Sequence, residues 1–135
     1  MSRMVIAIFL FFMAYQLFTQ LMATTRSIGQ ALYSVVYVTV PNSTVAQQIA
    51  REVVKSKYAA CVNISPYFRS SRYERDSTLE DKESLLVMKT KSAALDTLKA
   101  KVLSMHPSKI PEFIALPIES GSENYLNWID KQVIS

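Results

Sequence analysis

The sequence contains very little cysteine, histidine and glycine, and each shortage excludes a class of protein. Its 135 residues include one cysteine, Cys61, and one histidine, His106. A single cysteine cannot close an intramolecular disulfide. One cysteine with one histidine also falls short of the usual four-ligand zinc patterns. Because the two glycines are the isolated Gly29 and Gly121, the chain has no glycine-rich loop of the kind that binds phosphate.

The charge is weakly basic and mixed in sign. Fifteen lysines and arginines stand against eleven aspartates and glutamates, which gives a formal net charge of +4. Arg3 and Arg26 flank an apolar leader, and without them the balance is 13 against 11, or +2. A nucleic-acid-binding surface is expected to be a concentrated basic stripe, whereas these lysines alternate with acidic residues. The sequence therefore predicts no nucleic-acid partner.

An apolar leader occupies residues 1–23. Residues 4–14 contain no polar side chain, and the early Arg3 with the small Ala23 is typical of a secretory signal peptide. Residues 4–23 also reach the roughly 20 residues that span a bilayer, so an uncleaved membrane anchor is the alternative. Both predict the secretory pathway, with a secreted or membrane-anchored product, rather than the cytoplasm.

Residues 24–32 are then expected to be a linker to a single domain of residues 33–135. About 100 residues suffice for one modest hydrophobic core.

Two strands and one helix are predicted in the first half of this domain. Residues 33–40 are a β-branched run typical of a buried central strand. Asn42 or Ser43 is expected to be the N-cap of an amphipathic helix. The second strand begins at Ala60, and Pro66 is expected to bend it or to interrupt its pairing.

The second half predicts a returning strand, a helix, a fourth strand and a terminal helix. A turn at residues 75–77 leads into the returning strand, after which Ser92 is expected to cap the second helix. That helix should stop before the next proline, because the residue before a proline avoids the helical region. Residues 113–118 form the fourth strand, and Ser120 with Glu123 matches a capping box for the last helix.

The predicted order βαββαβ, followed by a helix, is the split-βαβ pattern of the ferredoxin-like α+β fold. Two helices cover only one face of such a sheet, yet the strands here are rich in apolar residues throughout. The uncovered face or the sheet edges are therefore expected to be buried by other subunits.

Several short motifs follow one another along residues 33–130. They are Val38-Thr39-Val40-Pro41, Ala59-Ala60-Cys61-Val62-Asn63-Ile64-x-Pro66, Ser70, Glu83-x-Leu85-Leu86-x-x-Lys89-Thr90, His106-Pro107-x-x-x-Pro111-Glu112 and Tyr125-Leu126-x-Trp128-Ile129. As an ordered set they resemble the CutA family, the divalent-cation tolerance proteins. The resemblance implies a ferredoxin-like fold assembled as a homotrimer, metal binding in some members, and a membrane or secretory link in animal members.

The chain departs from the family pattern at the tip of its hairpin. Where family hairpins usually carry Tyr-x-Trp-x-Gly, Glu74 stands at the tryptophan position and Asp76 at the glycine position. Loss of an aromatic residue at a subunit contact would weaken the trimer. The alternative is that residues 72–76 form a solvated tip, as their alternating charges indicate.

The resemblance also implies a metal site, for which the candidate ligands are Cys61, His106 and Glu112. Thiolate and imidazole suit copper, and a carboxylate can complete the site. Val38 and Met105 stand where metal-binding bacterial relatives carry a cysteine and a second histidine, so the donor set is reduced.

Two of these candidates also have a structural interpretation. Cys61 in a strand behaves as a small buried apolar residue. His106 at the end of a helix complements the negative end of the helix dipole. Copper or another divalent metal is therefore a possible ligand, and no cofactor is required.

Catalysis is not predicted. Cys61 and His106 are the residue types of a thiol nucleophile and its base, but no recognisable motif supplies the third, orienting group. The favoured interpretation is a trimeric, non-enzymatic protein of divalent-metal (copper) tolerance. The alternative is a trimeric scaffold or chaperone-like partner for a membrane or secreted protein.

Two segments match the acceptor pattern for N-glycosylation, residues 42–44 and 63–65. Asn42 is expected in an exposed turn and Asn63 within a strand. If the leader directs secretion, we expect Asn42 to be modified and Asn63 not to be.

Overall fold

The computed structural model describes residues 3–28 and 31–134, which belong to two compact units, residues 1–30 and residues 31–135. The first unit contains helix α1 (Arg3–Ile28). Large apolar side chains are exposed at most positions from residue 5 to residue 21, so they occur on all sides of the helix. The helix extends into the predicted linker as far as Ile28, and residues 29 and 30 lie outside the described residues.

Within the described ranges, no helix combines the length and the apolar character needed to cross a membrane. The choice between a signal peptide and an anchor stays a prediction.

The second unit has the predicted α+β, ferredoxin-like fold. Its elements are β1 (Tyr33–Val40), α2 (Ser43–Lys55), β2 (Cys61–Glu74), β3 (Ser77–Lys91), a one-turn 3-10 helix (Ser92–Ala94), α3 (Leu95–Met105), β4 (Ile114–Pro117) and α4 (Glu123–Gln132). The four strands are antiparallel and have the spatial order β2-β3-β1-β4. The strand β4 is one residue shorter at each end than predicted.

The core lies between one face of the sheet and helices α2 and α3. Alternate residues of β1 and β3 are buried there, because successive side chains of a strand point to opposite faces. The largest fully buried side chains come from both layers: Ile49, Leu86, Met88, Leu98, Val36, Val38, Val40, Val53 and Val102. The central strand β1 is therefore buried on one face only within a single chain, rather than on both.

The opposite side of the sheet, which we call the open face, is also apolar. Its members are the half-buried or exposed partners in the strand pairing, Val35, Tyr37, Leu85, Val87, Ile114 and Leu116. Ile114 and Leu116 on the edge strand β4 are 48% and 43% exposed. Single-chain folding thus leaves a continuous apolar surface in contact with solvent.

Helix α4 packs at one end of the sheet. Its Ile129 lies in a small second core with Ala60 and Ala94. The ammonium of Lys91 on β3 lies 3.4 Å from the carboxylate of Asp130 on α4. These contacts hold the terminal helix beside the start of β2.

A β-bulge interrupts the long strand β2. The register shifts between Ser65 and Phe68, so that Pro66 and Tyr67 together lie opposite Ser84. Tyr67 has φ of 63°, a left-handed conformation that costs a non-glycine residue roughly 1–3 kcal/mol. The interruption predicted at Pro66 is confirmed.

Beyond the bulge, residues 68–83 form an exposed hairpin arm. Its turn consists of Arg75 and Asp76, with φ of 49° and 63°, between the paired residues Glu74 and Ser77. Two consecutive left-handed residues define a type I′ turn, which matches the twist of the flanking strands. The predicted turn is confirmed, although its residues are not the Asn-Gly pair that favours this geometry.

Two predicted helix caps are wrong. Ser92 is the first residue of the 3-10 helix, whereas the N-cap of α3 is Ala94. The hydroxyl of Ser92 caps neither helix and lies 2.7 Å from the hydroxyl of buried Ser34. Buried hydroxyl groups need a hydrogen-bond partner, and this requirement outweighs capping here. The N-cap of α4 is Ser122, and its side chain makes no capping hydrogen bond, so Ser120 and Glu123 do not form a capping box.

Candidate functional site

His106 forms the C-cap of α3, where it bonds to the central strand. Its Nε2 lies 2.7 Å from the carbonyl oxygen of Thr39. The backbone N–H of Ser108 donates to Nδ1 over 3.1 Å. Because Nδ1 accepts a hydrogen bond, it carries no proton, so Nε2 carries the proton and donates it to Thr39. Both ring nitrogens are thus used within the chain.

Glu112 reaches the same residue from the segment that precedes β4. The hydroxyl of Thr39 donates to Glu112 Oε2 over 2.9 Å. Two of the three predicted metal ligands therefore meet at Thr39, one at its carbonyl and the other at its hydroxyl. Sequence reasoning did not single out Thr39 as a site residue. The sequence did contain a signal for Thr39, because it is a polar residue on the open-face side of a strand that is otherwise largely apolar.

Cys61 lies elsewhere, at the beginning of β2. Its half-buried thiol is 3.4 Å from the hydroxyl of Tyr125 on α4. The Tyr125 ring lies beside the ring of Trp128, with centroids 5.4 Å apart. The hydrogen bond to Cys61, together with partial burial, raises the pKa of the Tyr125 phenol above its usual value. Cys61 is therefore part of a contact between β2 and α4.

Strand register separates Cys61 from the other two candidates. Cys61 pairs with Lys89 and Thr39 with Leu85, which are four positions apart on β3. At about 3.3 Å per residue and about 4.8 Å between strands, Cys61 and Thr39 are on the order of 16 Å apart. Metal–ligand bonds are only about 2 Å long. Within one chain, Cys61 therefore cannot share a metal ion with His106 and Glu112.

Across residues 3–28 and 31–134, no group of three or more histidine, cysteine, aspartate or glutamate side chains is placed to hold a metal ion. The predicted set of Cys61, His106 and Glu112 does not fit a metal within one chain. The same separation keeps Cys61 and His106 from acting on each other as nucleophile and base in one chain. Met105 packs against the main core and Val38 is fully buried, so both are core residues.

The two glycosylation motifs lie in different surroundings. Asn42 is exposed at the N-terminus of α2, where its Oδ1 accepts a hydrogen bond from the backbone N–H of Val45 over 3.0 Å. This confirms that Asn42 is the N-cap. Asn63 lies on the open-face side of β2, and the ammonium of Lys89 on β3 donates to its Oδ1.

Charged side chains of the hairpin arm form ion pairs with one another. Arg72 pairs with Asp81 across the two strands and with Glu74 along its own strand. Arg69 Nη1 lies 4.0 Å from Glu80 Oε2. All of these charged side chains are exposed to solvent. Exposed ion pairs contribute little to stability. In a single chain the arm is thus a charged ribbon exposed to solvent.

A family model, related sequences and solved structures all indicate the same family. A family model described as CutA1 divalent ion tolerance protein matches residues 34–132. The protein CutA homolog of Xenopus laevis is 46% identical over 96 residues, which cover 71% of this chain and 64% of that protein. The divalent-cation tolerance protein CutA of Thermus thermophilus is 43% identical over 95 residues, which cover 70% of this chain and 92% of that protein.

A solved structure agrees with the fold. The crystal structure of CutA1 from Oryza sativa has a TM-score of 0.75 and 38% sequence identity, and the match covers 78% of this chain and 97% of that one. The chain spans less than two thirds of the length of the Xenopus relative, but nearly all of the Thermus protein and of the rice chain present in the crystal structure. The chain belongs to the CutA1 divalent ion tolerance family.

Proposed function

We propose that the chain acts in divalent-cation tolerance as a homotrimer that binds its ligands without catalysing a reaction. Membership of the CutA1 divalent ion tolerance family supports the role in cation tolerance. The apolar open face is the observation that supports assembly into a trimer. Side chains such as Val35, Tyr37 and Val87 are already half-buried, so burial of the part still exposed would contribute on the order of 1 kcal/mol each. A second copy of the chain offers the same apolar surface in return.

Light scattering tests the assembly directly. Residues 31–135 form a compact unit with its own core, so this domain is suited to the measurement. We expect the mass of a trimer at micromolar concentration. Val87→Glu should shift the domain toward monomers, because it places a charge on the open face. Gln48→Glu adds the same charge to exposed α2 and should leave the mass unchanged. A stable monomer of the unmodified domain would contradict the proposal.

We further propose copper as the cation, because thiolate and imidazole suit copper and a carboxylate can complete the site. Since the three side chains do not meet in one chain, a site that uses them needs more than one chain of the trimer. His106 must also release one of its two hydrogen bonds. We therefore expect weak binding.

Titration with Cu(I) and Cu(II) tests this site in the assembled domain. His106→Ala should weaken copper binding, and Cys61→Ser should weaken binding of Cu(I), because each ligand contributes to affinity through its geometry and protonation. Met105→Leu removes a thioether that packs against the core and serves as the control. Binding that is unchanged in both ligand variants would rule out the site.

A scaffold for a membrane or secreted protein is the second candidate. It is favoured by the separation of Cys61 from His106 and Glu112, which leaves these residues in structural roles. The apolar leader supports the secretory pathway as the compartment, with a secreted or membrane-anchored product. If the trimer forms and binds no copper, co-purification of a membrane or secreted protein with the full chain would decide for the scaffold.

A further inference from the structure

The segment between β1 and α2 presents a glycosylation acceptor in an accessible form. Asn42, Ser43 and Thr44 are all exposed and match the pattern Asn-x-Ser/Thr. Asn42 has an extended backbone, with φ of −162° and ψ of 168°, and begins helix α2. The three side chains are thus presented at the surface, at a boundary between two elements.

The oxygen and the nitrogen of the Asn42 side-chain amide have different roles. Its Oδ1 accepts the hydrogen bond from Val45 N–H that caps the helix. In the part of the chain that the structure describes, no protein atom accepts a hydrogen bond from its Nδ2. The reactive nitrogen is therefore available while the oxygen maintains the cap.

We propose that Asn42 carries an N-linked glycan, an inference that rests on the proposed secretory compartment. The donor is a polyprenyl-diphosphate-linked oligosaccharide. A bond forms between Nδ2 and the anomeric carbon of the first sugar, and the bond from that carbon to the diphosphate oxygen breaks. The diphosphate leaves with the bonding electrons, and the amide loses one proton. The amide oxygen takes no part, so the glycosylated residue still caps α2.

The second acceptor motif has an unsuitable position. Asn63 lies within β2 on the open-face side of the sheet, and Lys89 binds its Oδ1. A glycan there would separate the apolar surfaces that we propose to meet in the trimer. Asn42 instead begins a helix that packs on the other face of the sheet. The structure thus assigns the modification to the first motif alone.

The experiment uses the full chain, expressed in cells with a secretory pathway and treated with an amidase that removes N-linked glycans. We expect one increase in mobility, with conversion of Asn42 to aspartate detected by peptide mass spectrometry in heavy-oxygen water. Thr44→Ala should abolish the shift while leaving the Asn42 cap in place, and Thr44→Ser should retain it. Ser65→Ala, the matched change in the second motif, should have no effect.

An Asn-Ala-Thr acceptor added after residue 135 reports entry into the compartment separately. If this tag is glycosylated and Asn42 is not, the proposal for Asn42 is overturned while secretory entry stands. If neither is glycosylated, both the compartment and the modification are overturned. Conversion at Asn63 instead of Asn42 would overturn the assignment and contradict the burial of the open face in the trimer.

Discussion

The imidazole Nε2 of His106 donates a hydrogen bond to the carbonyl oxygen of Thr39 over 2.7 Å, which joins the end of α3 to the central strand. Its other nitrogen accepts from the backbone of Ser108. These two bonds favour one tautomer of the ring and fix its orientation. The single histidine of the chain therefore has a structural role, and a metal ion could bind its ring only by replacing one of these two hydrogen bonds.

The bond from Thr39 to Glu112 contributes to stability. Thr39→Val keeps the shape of the side chain and the carbonyl that binds His106, but removes the hydroxyl that donates to Glu112. We expect the free energy of unfolding to fall by about 1 kcal/mol. Denaturant unfolding at one fixed protein concentration measures this change, because assembly also contributes to apparent stability. The matched variant Thr78→Val, on the exposed arm, should change stability little. Equal effects of the two variants would contradict the prediction.

The hairpin turn contains avoidable strain. Asp76 adopts φ of 63°, which glycine adopts at little cost. Asp76→Gly is therefore expected to increase the free energy of unfolding by about 0.5 kcal/mol, the relief of strain being partly offset by the greater freedom of glycine in the unfolded chain. Ser71→Gly in the adjoining strand should instead lower it by about 0.5–1 kcal/mol. A loss of stability in Asp76→Gly would show that the turn differs from the type I′ geometry.

The ion pair between α2 and α3 makes stability depend on pH. Lys101 Nζ lies 2.8 Å from Glu52 Oε1. The hydrogen bond to Lys101 lowers the pKa of Glu52 below its usual 4.5, and the hydrogen bond to Glu52 raises the pKa of Lys101 above its usual 10.5. A lowered carboxyl pKa stabilises the fold above pH 4.5, and this contribution is lost as pH falls through the lowered value. A raised lysine pKa stabilises it below pH 10.5, and this contribution is lost as pH rises through the raised value.

The measurement compares Glu52→Gln with the unmodified chain by denaturant unfolding at several pH values. We expect the variant to be less stable near pH 7, and the difference to disappear in acid once Glu52 is protonated. High salt should reduce the difference, since both side chains are partly exposed to solvent. Glu119→Gln, at an exposed position, is the control. A difference that persists below the lowered pKa of Glu52 would exclude the ion pair as its cause.

Cys61 controls the titration of Tyr125. Because the hydrogen bond to Cys61 is the main cause of the raised phenol pKa, Cys61→Ala should move that pKa back toward its usual value of 10.0. NMR of tyrosines labelled at Cζ follows each phenol separately, so the other tyrosines serve as internal controls. An unchanged Tyr125 titration would mean that burial, rather than the thiol, sets the pKa.

Local sequence signals predicted much of the fold because they depend on neighbouring residues. The side chain of Asn42 caps a helix three residues away, and Pro66 marks its own bulge. The signal failed at Ser92, because its hydroxyl bonds to Ser34, which is distant in sequence. A local pattern cannot reveal such a tertiary partner.

The candidate site was predicted less completely for the same reason. Its residue types were identified, but their positions depend on strand register. His106 and Glu112 meet through Thr39, which lies 67 and 73 residues from them in sequence. Cys61 is held by Tyr125, 64 residues away. Only the pairing of β1, β2 and β3 shows that these two contacts lie at different ends of the sheet.

The bulge in β2 also affects the risk of aggregation. At 14 residues, β2 is a long edge strand, and an unbroken edge of this length presents a row of backbone groups on which a strand of another molecule can add. Pro66 has no N–H, and left-handed Tyr67 turns the backbone out of line, so the edge is divided into residues 61–65 and 68–74. Each part is a shorter template for uncontrolled strand addition, and the charged arm makes the second part still less suitable for it. The strained tyrosine would in this way protect the chain from fibrous growth before its subunits have assembled.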